Sequence, residues 1–291
     1  MKQQTMKSEH RNDEAIIKDP VPGIRAFAAD RWAQANDITF GTDAAFDFGV
    51  AWLHCEFENR PTFDVTIPRV EEVEAEIIFA AVNYCFWEGT SSNKPAGGAV
   101  LLRDLVRQTR FASSSFTDAI ERNTDLIRQR GYPLAEKRVT HLEELAANPA
   151  AVREIVRVVQ SCDDAALIVR IVLTSFHGFA EDPFAKRALL LPQTFHRCYG
   201  LFPNSIGALP VAVDYQIPKV LREFRVLEYS SRLAALVDAQ QSIPRHSTLE
   251  HELRASVMIA CDRLSRQAGL SEAIVDDLLW AARKAVPAPF H

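Results

Sequence analysis

The chain has 291 residues, of which 47% are hydrophobic and 24% are charged. These proportions are typical of a globular protein with a packed core and exclude a wholly disordered or membrane-spanning chain. The formal net charge of −5 at pH 7 gives no general attraction to a phosphate backbone or an anionic membrane, so we expect neither duplex nucleic acid nor a membrane as a partner. Five cysteines without a C-x-x-C pair favour a reducing, cytoplasmic setting.

Helical periodicity dominates the chain and predicts a mostly α fold. A polar, charged segment at residues 1–14 is interpreted as a flexible tail, and residues 15–291 as a single large helical domain. The predicted helices, in chain order, are 24–34, 70–83, 99–109, 116–130, 134–147, 150–162, 164–176, 183–199, 217–224, 230–239, 248–267 and 272–284.

One region departs from the helical pattern. Residues 44–65 are rich in aromatic and β-branched side chains, and Phe46, Phe48, Val50 and Trp52 alternate with other residues. Such alternation favours a strand, so a small sheet or hairpin is predicted here.

Asp214 is the first candidate for chemistry, because it stands between an apolar segment and a predicted helix start. One interpretation is that its side chain caps the helix beginning near Ile217, with Pro218 in the first turn. The other is a partly desolvated carboxylate that stabilises a cationic transition state. The residues alone leave both interpretations open.

An amide and several aromatic side chains form a second candidate at the end of the helix predicted over 70–83. The run is Asn83-Tyr84-Cys85-Phe86-Trp87. Aromatic rings and an amide can enclose a flat heterocycle by stacking and edge hydrogen bonds. The alternative is that these rings belong to the core, which is the commoner place for such residues.

Two clusters of charged residues also allow both a functional and a structural interpretation. Lys186 and Arg187 near a helix start suit a phosphate group, or else form a solvated surface. Glu250 has the capping-box spacing from a preceding serine, while Glu252 and Arg254 either point inward or form surface pairs.

Familiar motifs for cofactors and metals are absent from the sequence. It contains no G-x-G-x-x-G, no G-x-x-x-x-G-K-[ST], no H-E-x-x-H and no G-x-S-x-G. His196 and Cys198 stand one residue apart without further ligands at suitable spacing, which favours a structural role. The sequence therefore predicts no cofactor and no metal site.

Five short runs occur in an order that resembles the queuosine salvage proteins, also described as queuosine 5′-phosphate N-glycosylases. In chain order they are Asn83-Tyr84-Cys85-Phe86-Trp87, Lys186-Arg187-Ala188, Asp214-Tyr215-Gln216-Ile217-Pro218-Lys219-Val220-Leu221 followed by Leu227-Glu228-Tyr229-Ser230, Glu250-His251-Glu252-Leu253-Arg254, and Asp276-Asp277-Leu278-Leu279-Trp280. Gln216 and Lys219 replace the Arg and Gln of the family pattern, and residues 89–162 show little detailed resemblance. The chain thus resembles a divergent member.

The resemblance implies an all-helical fold akin to helix-hairpin-helix DNA glycosylases, acting on a free modified nucleotide or nucleoside. It implies release of queuine for reuse in transfer RNA, with Asp214 as the catalytic carboxylate and Tyr215 shaping its pocket. The other implied substrate-binding residues are Asn83, Phe86 and Trp87 around the heterocycle, Lys186 and Arg187 at the 5′-phosphate, and, as contacts or braces, Glu252, Arg254 and Asp276.

Two other classes of function stay open at this point. A DNA-glycosylase-like nucleic-acid-binding protein would show affinity that falls steeply with salt. In a non-catalytic helical interaction module, Asp214 would be only a cap and the aromatic residues only core. Turnover assays with modified and ordinary nucleotides separate these classes from an N-glycosidase. The sequence leaves the oligomeric state undetermined.

Overall fold

The computed structural model describes residues 20–60, 65–86, 98–161 and 164–286, and this part of the chain is mostly helical. The predicted fold class is confirmed. The described helices are α1 (Pro20–Trp32), α2 (Asp43–Glu58), α3 (Val70–Val82), α4 (Gly98–Phe111), α5 (Phe116–Arg130), α6 (Ala135–Ala147), α7 (Pro149–Ser161), α8 (Ala165–Ser175), α9 (His177–Ala180), α10 (Lys186–Tyr199), α11 (Ile217–Glu223), α12 (Ser231–Asp238), α13 (Thr248–Ala268) and α14 (Glu272–Ala282). The strands are β1 (Ile38–Phe40) and β2 (Leu227–Tyr229), and a 3-10 turn covers Ile206–Ala208.

Capping residues set the ends of the best-predicted helices. In α5 the Ser115 side chain accepts a hydrogen bond from the amide of Asp118, and Gly131 ends the helix with φ of 61°. In α13 Ser247 accepts from the amide of Glu250, and Gly269 ends the helix with φ of 65°. Serine supplies the acceptor that the first amides lack, and glycine takes the left-handed conformation without a Cβ penalty.

The strand prediction for residues 44–65 is wrong. Residues Asp43–Glu58 form α2, which Thr42 caps by accepting from the amide of Ala45. The buried positions are Phe46, Gly49 and Leu53, a spacing of three and four, whereas Phe48 is 54% exposed. Burial thus follows the helical period, and the alternating aromatic residues do not share a buried face.

The two-stranded sheet lies just before that region. β1 and β2 pair antiparallel, with Ile38 opposite Tyr229 and Phe40 opposite Leu227. The sheet joins two segments that are almost 190 positions apart in the chain, a pairing for which local sequence patterns carry no signal.

The described residues divide into two compact units. One contains residues 20–60 and 206–286, and the other contains 65–86, 98–161 and 164–205. The prediction of a single helical domain stays a prediction. The predicted tail at 1–14 and the predicted site residue Trp87 lie outside the described residues.

A long or fully buried helix organises each unit. In the first unit α13 packs against α1 and α2. In the second unit α3 packs against α4, α6 and α10, and every residue from Val73 to Val82 is buried. Among the described helices, none combines the length and the apolar character that a membrane span requires.

Candidate active site

Asp214 lies at the end of an apolar, buried, non-helical segment formed by Val211, Ala212 and Val213. Its side chain is half-buried, and its Oδ1 atom accepts hydrogen bonds from the amides of Gln216 at 2.7 Å and Ile217 at 3.4 Å. The carboxylate therefore caps the start of α11, as one of the two interpretations expects. Both capping bonds use one oxygen of the carboxylate.

Charged side chains from α13 and α14 hold the backbone of this segment. The amide of Val211 donates to Glu272 Oε2 at 3.1 Å, and the amide of Ala212 donates to Asp276 Oδ2 at 3.0 Å. The guanidinium of Arg254 lies 3.5 Å from the carbonyl oxygen of Val213. Buried backbone amides need partners, so these side chains fix the path of the chain into Asp214.

The carboxylates and the guanidinium of this brace have partners of their own. Arg25 forms an ion pair of 2.6 Å with Glu272, whose side chain is 4% exposed. Burial raises the pKa of Glu272, and Arg25 opposes that shift. Arg254 forms an ion pair of 3.1 Å with Glu250 one turn earlier on α13. Glu272 and Arg254 thus each have an oppositely charged partner in addition to the backbone group they bind.

Glu252 holds a different turn of the first unit. Its Oε1 atom accepts from the consecutive amides of Asn36, Asp37 and Ile38 at 2.8, 2.5 and 2.9 Å. Three amides that donate to one carboxylate oxygen fix the entry into β1. Glu252 therefore has a local structural role, and its predicted contact with substrate stays a prediction.

In the second unit, the predicted aromatic cluster begins where α3 ends. Arg138 from α6 is fully buried and binds the backbone carbonyls of this turn. It donates to the carbonyl oxygens of Val82, Tyr84 and Cys85, the last at 2.7 Å, and to Pro133 at 2.9 Å. Burial lowers the pKa of the guanidinium. The carbonyl dipoles at a helix C-terminus supply negative potential that compensates such a buried cation.

The ring faces of the cluster also contact this guanidinium. The Cζ atom of Arg138 lies 4.5 Å from the ring centre of Tyr84 and 5.2 Å from that of Phe86. Both distances are in the range of cation–π contacts. Phe86, predicted to enclose a heterocycle, is buried at 7% exposure, whereas Asn83 is half-buried.

Arg187 is the second buried cation at this end of α3. Its guanidinium donates to the carbonyl oxygen of Ala81 at 2.5 Å and to that of Gly178. It also stacks over the rings of Tyr84 and Phe179, at 4.7 and 5.0 Å from their centres. Its predicted contact with a 5′-phosphate stays a prediction, while these contacts give it a clear role in the fold.

His141 completes this cluster. Its Nδ1 atom lies 3.3 Å from both the carbonyl oxygen of Ala81 and the guanidinium of Arg187. Burial and the charge of Arg187 lower its pKa to about 4, so the imidazole is neutral near pH 7. A Cβ atom at Gly178 would approach the imidazole ring to 2.2 Å, and this close approach requires glycine.

A small cavity in the second unit brings two of the predicted residues together. Its lining residues are Glu76, Phe79, Ala80, Asn83, Arg187, Leu190, Leu191 and Thr194. Glu76 is 1% exposed and is held by Arg103 at 2.7 Å and Arg107 at 2.9 Å. The cavity has a volume of about 10 Å³, which is room for about one water molecule and not for a nucleotide base.

The predicted site residues thus form one group in each unit. Those in the first unit are Asp214, Tyr215, Glu252, Arg254 and Asp276, and those described in the second unit are Asn83, Phe86, Lys186 and Arg187. Arg254 and Asp276 converge on the segment that ends in Asp214, and Asn83 and Arg187 share a cavity. Lys186 and Tyr215 are half-buried.

Sequence reasoning missed Arg138, His141 and Glu272. A signal for the first two exists in α6, where Arg138 and His141 share a helical face with the buried Leu142 and Leu145. A charged and a titratable residue on an apolar stripe mark a buried polar network.

The chain matches a family model and several known proteins. The family model described as "Queuosine salvage protein" matches residues 98–287, about two thirds of the chain. A protein of Sphaerobacter thermophilus named queuosine 5′-phosphate N-glycosylase/hydrolase is 26% identical over 258 residues, which cover 74% of this chain and 78% of that protein. A protein of the same name from Dictyostelium discoideum is 22% identical and covers 73% of this chain and 71% of its own length. The chain belongs to the queuosine salvage protein family.

Proposed function

We propose that the protein is an N-glycosidase that hydrolyses the ribosyl C–N bond of queuosine 5′-phosphate and releases queuine for salvage. The family and the names of its relatives support a queuosine salvage hydrolase of N-glycosyl bonds. The choice of the nucleotide over the nucleoside, and of queuine as the released base, is part of the proposal.

The observation that carries the proposal is the way the segment before Asp214 is held. Glu272, Asp276 and Arg254 each bind one backbone group of the three residues that precede this carboxylate. These partners satisfy buried backbone groups and at the same time fix the position of the next residue, Asp214. Rigid placement of a charged group is what electrostatic catalysis requires.

The chemistry assigns one role to this carboxylate. Cleaving the C–N bond develops positive charge on C1′ and the ring oxygen of the ribose. A carboxylate beside that face stabilises the oxocarbenium-like state and directs or deprotonates the attacking water. We assign Asp214, which also caps α11, to this face of the ribose.

The base imposes a second requirement. Queuine is a 7-deazapurine and lacks the N7 atom on which an ordinary purine accepts a proton as it leaves. Hydrogen-bond donors around the rest of the base must then offset its developing negative charge.

The test separates the cap from the catalytic charge. Asp214→Asn keeps an oxygen acceptor for the amides of Gln216 and Ile217 and has nearly the same volume, because Asn caps helices as well as Asp does. We expect its stability to stay near that of the wild type and its turnover of queuosine 5′-phosphate to fall at least about 100-fold, the scale of losing one electrostatic stabiliser.

Asp214→Ala is the matched variant, which loses both the cap and the charge. It should lose turnover like Asp214→Asn and, in addition, about 1 kcal/mol of stability. Released base is identified by mass spectrometry with queuosine 5′-phosphate, queuosine and ordinary purine nucleotides as substrates. Near-normal turnover by Asp214→Asn would refute the catalytic role, and preference for the nucleoside would refute the choice of substrate.

A further inference from the structure

Three side chains with metal-ligating atoms meet where α13 begins, in the first unit. His246, Glu250 and His251 each offer one ligand atom, and these atoms lie within 4.8 Å of one another. Glu250 Oε2 and His251 Nε2 are only 3.6 Å apart. Two imidazoles and one carboxylate form a donor set that suits Zn²⁺ and related divalent transition metals.

The backbone around His246 holds it in an uncommon conformation. Its φ of 59° lies in the left-handed region, which residues other than glycine rarely adopt. The amide of His246 donates to Glu250 Oε2 at 3.2 Å, and the Ser247 cap fixes the next residue. These bonds keep the imidazole of His246 near that of His251, with ring centres 6.0 Å apart.

We propose that the imidazoles of His246 and His251 and the carboxylate of Glu250 bind one divalent transition-metal ion of the zinc class. With bonds of about 2.0–2.2 Å, the ligand atoms of a tetrahedral site lie roughly 3.3–3.6 Å apart. The Glu250–His251 pair already has this spacing. His246 is exposed, so its imidazole can rotate the remaining distance, and water completes the coordination.

Metal binding by Glu250 leaves its ion pair with Arg254 intact. Arg254 binds the Oε1 atom of Glu250 at 3.1 Å, while the atom near His251 is Oε2. A carboxylate can bridge a metal on one oxygen and a guanidinium on the other, and such outer partners orient metal ligands. This inference stands independently of the proposed function, because binding of the ion is measured without turnover.

The test measures binding of Zn²⁺ to the metal-free full chain by equilibrium dialysis and calorimetry. His246→Asn removes one imidazole, and Asn tolerates the left-handed conformation. We expect its affinity for Zn²⁺ to be at least about tenfold lower, since even outer-shell changes cost 10–100-fold. His177→Asn is the matched control, because His177 is an exposed histidine that lies 4.0 Å from Glu181 on a helix of the second unit.

A second variant and a second measurement make the result unambiguous. His251→Gln should show the same loss of affinity, and Zn²⁺ should raise the Tm of the wild type and of His177→Asn but not of His246→Asn. Co²⁺ spectra then identify the donor atoms, because ligation by the exposed thiols of Cys55, Cys85 or Cys198 gives a thiolate-to-metal band. Absence of saturable binding, a thiolate band, or equal affinity in all variants would each overturn the proposal.

Discussion

Side chains of opposite charge hold the backbone of two segments that carry predicted site residues, namely residues 211–214 and residues 81–86 at the end of α3. In residues 211–214, the amides of Val211 and Ala212 donate to the carboxylates of Glu272 and Asp276. In residues 81–86, the guanidinium groups of Arg138 and Arg187 donate to backbone carbonyls. Residues 211–213, Ala81, Val82 and Phe86 are buried, and buried backbone groups require partners.

The difference follows from which backbone groups lack a backbone partner in each segment. The carbonyls of Ala81 and Val82 belong to the last turn of α3 and lack intrahelical donors, whereas the amides of Val211 and Ala212 lie in a non-helical segment before α11 and pair with side chains. At α3 the helix dipole adds to this, because it favours cations at the C-terminal end. Charge placement in both units therefore follows from backbone requirements before any substrate is considered.

Removing the cation at α3 should give the largest effect. Arg138→Met keeps an unbranched chain of similar length but leaves the carbonyls of Val82, Tyr84 and Cys85 without these donors. Each unsatisfied buried group costs about 1–3 kcal/mol, so we expect the free energy of unfolding to fall by about 3 kcal/mol or more. Urea titration followed by circular dichroism measures this.

The matched control is a half-buried arginine that pairs with an exposed carboxylate. Arg222 binds Asp238 at 2.7 Å on the surface of the first unit, and Arg222→Met should cost less than about 1 kcal/mol. Arg138→Lys keeps the charge but reaches fewer carbonyls, so its stability should fall between the two. Equal urea midpoints for Arg138→Met and Arg222→Met would contradict the role given to Arg138.

The pH dependence of stability gives the next effect, through His141. Its pKa is lowered from 6.5 to about 4 by burial first and by Arg187 second, while Glu181 opposes the shift and Lys137 adds to it. Between pH 6.5 and 4 the unfolded chain takes up a proton that the folded protein does not. The contribution of the neutral His141 to the free energy of unfolding is therefore fully present above pH 6.5. It is lost as the pH falls towards 4, by up to about 3 kcal/mol at 1.4 kcal/mol per pH unit.

A difference measurement isolates this histidine. Urea unfolding at several values between pH 7 and 4 is compared for the wild type, His141→Gln and His177→Gln. The exposed His177 should leave the slope unchanged, whereas His141→Gln should flatten it. An unchanged slope in His141→Gln would show that other groups, such as His251, cause the loss.

The contrast between the segments also explains what the sequence could predict. Helices such as α5 were predictable to the residue, because Ser115 and Gly131 mark both ends with local chemistry. In the 44–65 region the alternation of bulky residues favours a strand, whereas Thr42 and the three- and four-residue spacing of Phe46, Gly49 and Leu53 indicate the helix that forms. Capping residues can be recognised in the local sequence, but the choice between a strand period and a helical period depends on which residues are buried in the folded protein.

Site residues could be predicted only where a short stretch of sequence contains the signal. Asp214 and Pro218 mark a helix start in the sequence itself, so the cap was foreseeable. Glu272 gave no such signal, because its partners are Val211 and Arg25, both far away in the chain. Long-range pairing of a carboxylate with a backbone amide leaves no local pattern.

A smaller effect is expected at residues 211–214, where a carboxylate holds the backbone. Asp276→Ala removes the acceptor for the amide of Ala212 and should lower the free energy of unfolding by about 2 kcal/mol, the scale of a hydrogen bond to a charged group. Because that amide lies two residues before Asp214, turnover of queuosine 5′-phosphate should fall more than substrate affinity. Asp276→Asn keeps an oxygen at the same place, so it should lose less of both. If Asp276→Asn were as impaired as Asp276→Ala, the segment would need the negative charge of Asp276 rather than its hydrogen bond. The contrast between the two segments would then be one of charge alone.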